Sequence, residues 1–171
     1  MKNTLLFAIC LLFIVSSCKK SGGNTPTVTN SISATVDGVN VNFNTVATAV
    51  RDTTQPSFLT ITGYTAASGA RAEIEINVQS NTSGLTGTYL SLNPINSAGF
   101  ATLFYNNLLA GSGNQLYVSN SGGINSYTTI TISSFSKTNV QGTFSGRLIL
   151  VGDTTTHTVT NGMFNVAVIN N

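Results

Sequence analysis

Apolar and polar residues alternate with a period of two along most of the chain. From Ser31 to Val36 and from Val39 to Asn44, every second residue is apolar and those between are Ser, Thr or Asn. This alternation is typical of strands with one buried face. The intervening Asp37-Gly38 predicts a two-residue hairpin turn, because both residues tolerate positive φ. In that register Val36 faces Val39, and the apolar side chains of both strands share one face.

The same pattern predicts further strands. They cover residues 58–64, 72–78, 87–90, 100–105, 127–135, 140–151 and 157–169, with 116–119 as a weaker candidate. The most helix-like stretch, residues 101–110, contains aromatic and Asn residues that favour a strand followed by a loop. Short strands joined by polar turns predict an all-β fold, either an antiparallel β-sandwich or a flattened up-and-down barrel of about 9–10 strands.

The N-terminus departs from this pattern. Lys2 is followed by an apolar run, residues 5–15, and then by Ser16-Ser17-Cys18. A positive start, a short apolar run and small residues are typical of a secretory signal, and the run is too short for a good membrane span. Residues 15–18 (VSSC) resemble a bacterial lipobox, which implies that Cys18 is acylated and becomes the first residue after cleavage. The alternative is an ordinary signal peptide with a chance cysteine beside the cut.

These features divide the chain into three parts: a lipoprotein signal peptide (1–17), the lipidated Cys18 with a flexible linker (18–30), and a single all-β domain (31–171). The linker is polar and contains Gly and Pro26, as a tether does. By analogy with studied lipoproteins, Lys19 in place of Asp favours the outer membrane. The lack of an acidic run after Cys18 slightly favours the periplasmic face over the cell surface.

Composition limits the function classes. Only 7% of the 171 residues are charged, against about 25% in ordinary domains, and the polar residues are instead 26 Thr, 20 Asn and 19 Ser. A net charge of +2 without basic clusters argues against nucleic-acid binding. Few ionisable residues leave little for a metal site, a cofactor or catalysis. Because no Cys follows Cys18, the domain forms no disulfide and depends on its core.

Few residues are candidates for chemistry. His157 is the single histidine, and its position near a predicted turn favours a solvated side chain over a catalytic one. Glu73 and Glu75 share one strand face and could act as paired carboxylates, but Arg71 shares that face, which favours an exposed charged surface. Ser145 lies in G-x-x-S-G, not in the G-x-S-x-G of hydrolases.

Threonines supply two further candidates. Residues 60–62 (TIT) and 129–131 (TIT) each place two hydroxyls on one strand face, where they could bind sugars or simply keep the surface soluble. The segments 52–54 (DTT) and 153–155 (DTT) resemble an O-glycosylation acceptor of some Bacteroidetes, which makes Thr53 and Thr154 candidate acceptors.

Five ordered motifs resemble a family of small Bacteroidetes lipoproteins known only as a domain of unknown function. The motifs are residues 34–38 (ATVDG), 59–63 (LTITG), 87–89 (GTY), 140–146 (VQGTFSG) and 160–166 (TNGMFNV). Relatives often carry a Trp after the Asp-Gly turn, and this chain has none. The resemblance implies fold and location, and it brings no catalytic residue. In the motifs themselves, Gly142 and Gly146 flank Phe144 where close packing is expected, and Asn161-Gly162 predicts a bulge or bend within a strand.

The sequence therefore predicts a non-enzymatic, lipid-anchored β-domain of the outer membrane that acts in binding, with a glycan or a protein as ligand, or in envelope organisation, and it names no specific role. The membrane is its first partner, through the lipid on Cys18. The alternative is a lipocalin-like carrier of an apolar small molecule. The interior of the domain distinguishes the binding domain from the carrier, because a carrier needs an apolar cavity of at least about 300 Å³.

Overall fold

The structure, a computed structural model, consists of strands and their connections. It describes residues 29–171 except 53, 55–57, 83, 92–97, 109–112 and 120–125. The strands of this part are β1 (Ser31–Val36), β2 (Val39–Asn42), β3 (Thr45–Arg51), β4 (Phe58–Tyr64), β5 (Arg71–Ser80), β6 (Gly87–Leu90), β7 (Gly99–Leu108), β8 (Gln115–Val118), β9 (Tyr127–Phe135), β10 (Asn139–Leu150) and β11 (Thr156–Asn170). The signal peptide and Cys18 lie outside the described residues.

The eleven described strands form one sheet in the order β2-β1-β11-β3-β4-β5-β7-β6-β9-β10-β8. Additional ladders join β11 to β10 and β7 to β8, so the sheet closes on itself. The predicted all-β class is confirmed. Most pairs are antiparallel, but β11 pairs with β3, and β6 with β7, in parallel. The order differs from up-and-down because β11 lies between β1 and β3, and β6 lies between β7 and β9.

The first hairpin has the predicted turn and register. Asp37-Gly38 adopts positive φ at both residues, 48° and 84°, as a type I′ turn requires. The ladder pairs Val36 with Val39 and Ala34 with Val41. Val39 departs from the predicted burial, with 65% of its surface exposed, because residues 37–40 at the turn end all face solvent.

The alternation of apolar and polar residues predicted the positions of most strands correctly. The predicted bounds agree with β4, β6 and β9, and those of β5, β7, β8, β10 and β11 differ by at most a few residues. The helix-like stretch is strand through Leu108. Strand β3 was not predicted, because its buried positions are the small Ala47 and Ala49, and because its pairing with the last strand of the domain is non-local.

The inner face of the closed sheet is a packed apolar core. The largest fully buried side chains are Tyr89, Phe43, Ile32, Leu59, Ile61, Ile74, Ile76, Leu85, Leu103, Ile130, Ile132 and Leu148. Several buried polar groups are hydrogen-bonded, as when Ser119 Oγ accepts from the Leu103 amide at 2.9 Å. No helix in the described part of the chain is long and apolar enough to cross a membrane.

Two glycines and two phenylalanines lock β10 to β11. Gly142 pairs with Phe164 and Phe144 pairs with Gly162, so each ring lies over the glycine of the facing strand. The rings stack at a centroid distance of 6.4 Å, and both residues are at most 3% exposed. The close packing predicted around Phe144 is confirmed.

Candidate binding face

The outer surface of β6, β9, β10, β11, β1 and β2 carries mainly hydroxyl and amide side chains, with Tyr127 and Arg147 at one end of β9 and β10. We call it the hydroxyl–amide face. Its residues, none of them buried, are Ser31, Ser33, Thr35, Asn40, Asn42, Thr88, Thr129, Thr131, Gln141, Thr143, Ser145, Thr160, Asn161, Met163 and Asn165. Thr129 and Thr131, singled out in the sequence, belong to this face. Thr60 and Thr62 lie on the outer surface of β4 instead, and Thr60 donates to Asn77 Oδ1 at 2.7 Å.

The strand register aligns part of this face into a continuous row perpendicular to the strands. Each residue of the row is the direct cross-strand partner of the next, in the order Thr88, Thr131, Thr143, Met163, Ser33, Asn42. Adjacent strands are about 4.8 Å apart, so a row across six strands extends about 24 Å. A row of this length arises from the register of six paired strands, because one strand contributes only one of its residues.

Met163 stands at the centre of the face and is 58% exposed. Three shallow grooves border it. The first, of about 720 Å³, lies over β9, β10 and β11, and the second, of about 400 Å³, lies over β1 and β2. The third, of about 320 Å³, adjoins both along Ser33 and Thr143. No Asp, Glu, Lys or Arg of the described residues lines them.

A bulge in β11 adds one more polar group to the face. Asn161 has φ 52°, and the registers of β11 with β1 and with β10 both shift at this point. The bulge predicted at Asn161-Gly162 is therefore confirmed. Thr160 and Asn161 are consecutive yet both exposed, because a bulge redirects a side chain. Asn161 consequently reaches both main grooves.

Hydrogen bonds across strands hold several of these side chains in place. The hydroxyls of Thr88 and Thr131 are 3.1 Å apart, and Thr35 Oγ1 donates to Asn40 Oδ1 at 2.8 Å. Farther along the strands, Asn139 Nδ2 donates to Asn165 Oδ1 at 2.8 Å. Hydroxyls have one donor and two acceptor positions, so groups bonded in this way still have capacity for a ligand.

The second polar cluster of the fold surrounds His157 at the start of β11. Nδ1 of His157 contacts Oδ2 of Asp37, and the Thr158 amide donates to Oδ1 of the same carboxyl at 2.7 Å. The rings of Tyr117 and Tyr105 pack on the imidazole at centroid distances of 4.1 and 5.3 Å. The expected solvated turn histidine is thus wrong, since only 23% of the side chain is exposed. The cluster fastens the hairpin turn to β11.

These contacts shift two pKa values. Partial burial acts to raise the pKa of Asp37, but hydrogen bonds from the Thr158 amide and His157, with the histidine's charge, lower it overall. Burial, and secondarily the charge of Asp37, raise the pKa of Tyr105.

We expect Asp37→Asn to reduce the acid sensitivity of folding. A carboxyl whose folded pKa is below its unfolded value stabilises the protein above the unfolded pKa, near 4, and this contribution is lost as pH falls through the folded value. Half of the Asp37 side chain is exposed, so the contribution is that of a surface pair, at most about 1 kcal/mol. Asn keeps the turn and an oxygen for the Thr158 amide. Urea midpoints measured on both sides of about pH 4 should fall less for the variant than for the wild type.

Glu73 and Glu75, the two candidate paired carboxylates, lie on the outer surface of β5 and contact neighbouring polar side chains. Asn77 Nδ2 donates to Glu75 Oε1 at 2.7 Å, and the Arg71 guanidinium lies 4.5 Å from the Tyr64 ring centroid. A hydrogen bond to Glu73 is the main cause of a raised Tyr64 pKa. Arg71, Glu73 and Glu75 share one face as expected, but each is half-buried and not fully exposed. Among the described residues, no three His, Cys, Asp or Glu side chains gather as a metal site requires.

The remaining candidates differ in what the structure shows. Thr154 lies in an exposed turn between β10 and β11, where its amide donates to Asp153 Oδ1. Thr53 and Cys18 lie outside the described residues. Neither Met163 nor Asn161 was a candidate for binding in the sequence, although an apolar residue at a polar position of the β11 pattern was a visible signal for Met163.

Comparisons with protein-family models, with curated proteins and with solved structures found no match.

Proposed function

We propose that this protein is a non-enzymatic binding protein of the outer membrane, anchored through lipid on Cys18, and that its hydroxyl–amide face binds a neutral glycan of the cell envelope. One observation carries the glycan assignment. The face presents a row of six uncharged side chains across six strands, and all of them except Met163 carry a hydroxyl or an amide.

The chemistry of the face favours a polyhydroxylated, uncharged ligand. Its grooves are lined by hydroxyls, amides and one thioether, together with the apolar Ala34, Val41, Phe144 and Phe164, and without a charged side chain among the described residues. Hydroxyl and amide groups both donate and accept, as sugar hydroxyls do. An ionic ligand would bury its charge against such a surface without a counter-charge, which is costly. A protein partner from the envelope is the second possibility.

The anchor and linker would place this face within reach of the envelope. Lipid chains contribute about 0.8 kcal/mol per buried methylene, so several chains on Cys18 would hold the protein stably. The linker of residues 18–30 would extend to about 40 Å. Asn30, at its end, already contacts the domain, since its Oδ1 accepts from the Ala167 amide at 2.8 Å. We place the domain on the periplasmic face, with Thr53 and Thr154 as predicted acceptors for O-glycosylation.

The packing of the interior favours a binding surface over a carrier. A lipocalin-like carrier would hold its ligand on the inner face of the closed sheet. In the described part of the chain, that face is filled by large side chains with no exposed surface, among them Tyr89, Phe43 and Leu59. The three grooves that border Met163 lie on the outer surface instead.

The proposal predicts that hydroxyls of the row contribute to glycan binding. Thr131→Val with Thr143→Val removes two neighbouring hydroxyls and keeps side-chain shape and strand preference. Each lost hydrogen bond costs about 0.5–1.5 kcal/mol, so affinity should fall about tenfold. The full chain in lipid nanodiscs would be applied to a glycan array and the positive glycans titrated. Thr62→Val, on the outer surface of β4, is the matched control. Uniformly blank arrays, or equal loss in the control, would refute the proposal.

A further inference from the structure

We infer that the hydroxyl–amide face takes an extended neutral polysaccharide chain laid across the strands, with the apolar face of one sugar ring packed on Met163. This inference rests on the proposed function and specifies its ligand: a linear chain spanning several grooves, and not a terminal sugar held in one.

The arrangement of the grooves supports a chain. The two larger grooves lie on opposite sides of β11, one over β9 and β10 and the other over β1 and β2. Both are bordered by Asn161 and Met163, so a ligand that occupies both passes over these two residues. Both are also shallow and open. A single sugar would therefore leave most of its surface in water, whereas a chain along a row of about 24 Å contacts polar groups from strand to strand.

Met163 occupies the one position of the row where the polar pattern is interrupted. Its cross-strand partners are Thr143 and Ser33, so an exposed thioether is flanked by hydroxyls on both sides. A pyranose ring also combines an apolar part with hydroxyls around it, since C–H groups lie on its faces and hydroxyls at its edge. Packing of a ring on Met163 would therefore bury apolar surface while the neighbouring hydroxyls bond the edge. Single exposed apolar residues are common, and the position of this one between the two grooves is what assigns it a role.

Neighbouring structure holds this central position firmly. The following residue, Phe164, is 3% exposed and anchored over Gly142 in the core. The preceding Gly162 lies against Phe144, and a Cβ there would come within 2.4 Å of the Phe144 carbonyl oxygen. The β11 backbone that presents Met163 and Asn161 is thus fixed from below, which reduces the ordering cost of binding.

The test measures how affinity depends on chain length. The full-length protein in nanodiscs would be titrated with neutral linear glucans, mannans and xylans, and with their oligomers from disaccharide to hexasaccharide. In the series that binds, we expect affinity to rise at least about tenfold with length, as contacts are added in successive grooves. Met163→Ala should weaken the hexasaccharide at least about tenfold and the disaccharide less, because it removes the apolar contact between grooves.

Two variants control for general effects. Met163→Leu keeps an apolar side chain and should retain most of the affinity. Val151→Ala removes a comparably exposed apolar side chain, 59% against 58%, in the turn after β10 and should not change binding. Binding that is equally tight for disaccharide and hexasaccharide, or indifferent to Met163→Ala, would overturn the inference and leave the proposed function intact. If none of the neutral glycans bound, both would fail.

Discussion

Gly142→Ala is expected to destabilise the domain by about 3 kcal/mol or more. A Cβ at this position would lie 2.1 Å from the carbonyl oxygen of Thr131 and 2.4 Å from Cζ of Phe164. The first neighbour is backbone of the paired strand β9, and the second is a ring that is almost fully buried, so neither can move away cheaply. Either β9 and β10 separate or Phe164 leaves its position over the glycine.

The chain offers a matched control for this variant. A Cβ at Gly113 would meet no atom of the described residues within 4 Å. Gly113→Ala should therefore leave the stability unchanged or raise it slightly, since alanine restricts the unfolded chain. Urea unfolding of the two variants and the wild type measures the difference. Equal midpoints for Gly142→Ala and Gly113→Ala would mean that β9, β10 and Phe164 do not pack as described.

The local part of the fold could be predicted from the sequence because its determinants are adjacent along the chain. Asp37-Gly38 specifies a turn that fixes the register of β1 with β2, and the period-two pattern locates most strands. The bulge at Asn161-Gly162 is equally local, because an Asn-Gly pair inside a strand pattern marks a backbone that leaves the regular ladder. Predictions of this kind depend on few residues, and the structure confirms them.

The order of the strands could not be predicted in the same way. The alternation shows which face of a strand is buried but not which strand lies beside it. The parallel pairing of β11 with β3 brings Val168 next to Ala49, residues far apart in the chain. Strand β3 itself gave no strong signal, because its buried positions hold alanine, a residue that is depleted in strands. Closure of the sheet follows from such non-local ladders.

The candidate face was only partly visible in the sequence for the same reason. Thr129 and Thr131 stood out because they flank one buried isoleucine. The alignment of Thr131 with Thr143, Met163 and Ser33 is a consequence of three separate registers. For His157 the sequence predicted too much exposure. The residue lies near one turn, but the turn of another hairpin, at Asp37, contacts its side chain and covers part of it. Sequence reasoning identifies polar strand faces, and the sheet order decides which of them merge into one surface.

Cys18→Ala is expected to abolish incorporation of labelled palmitate and to lower the envelope-bound fraction of the protein at least about tenfold. The lipobox resemblance assigns acylation to this sulfur, and alanine has no atom that can form the thioether. The apolar run of residues 5–15 would then be the remaining membrane contact. Its length of about 16 Å as a helix is roughly half of a bilayer core, so it is a poor substitute for the lipid.

Cys10→Ala is the matched control, because it removes the other cysteine from within the apolar run and leaves the lipobox intact. This variant should incorporate palmitate and sediment with envelopes like the wild type. The comparison separates loss of a thiol in general from loss of the acylated one. A Cys18→Ala protein that still sediments with envelopes would show that the chain is held by something other than its lipid. A glycan bound by the hydroxyl–amide face could keep this protein in the envelope fraction. In that case, adding the Thr131→Val and Thr143→Val changes to Cys18→Ala would release the protein from the envelopes.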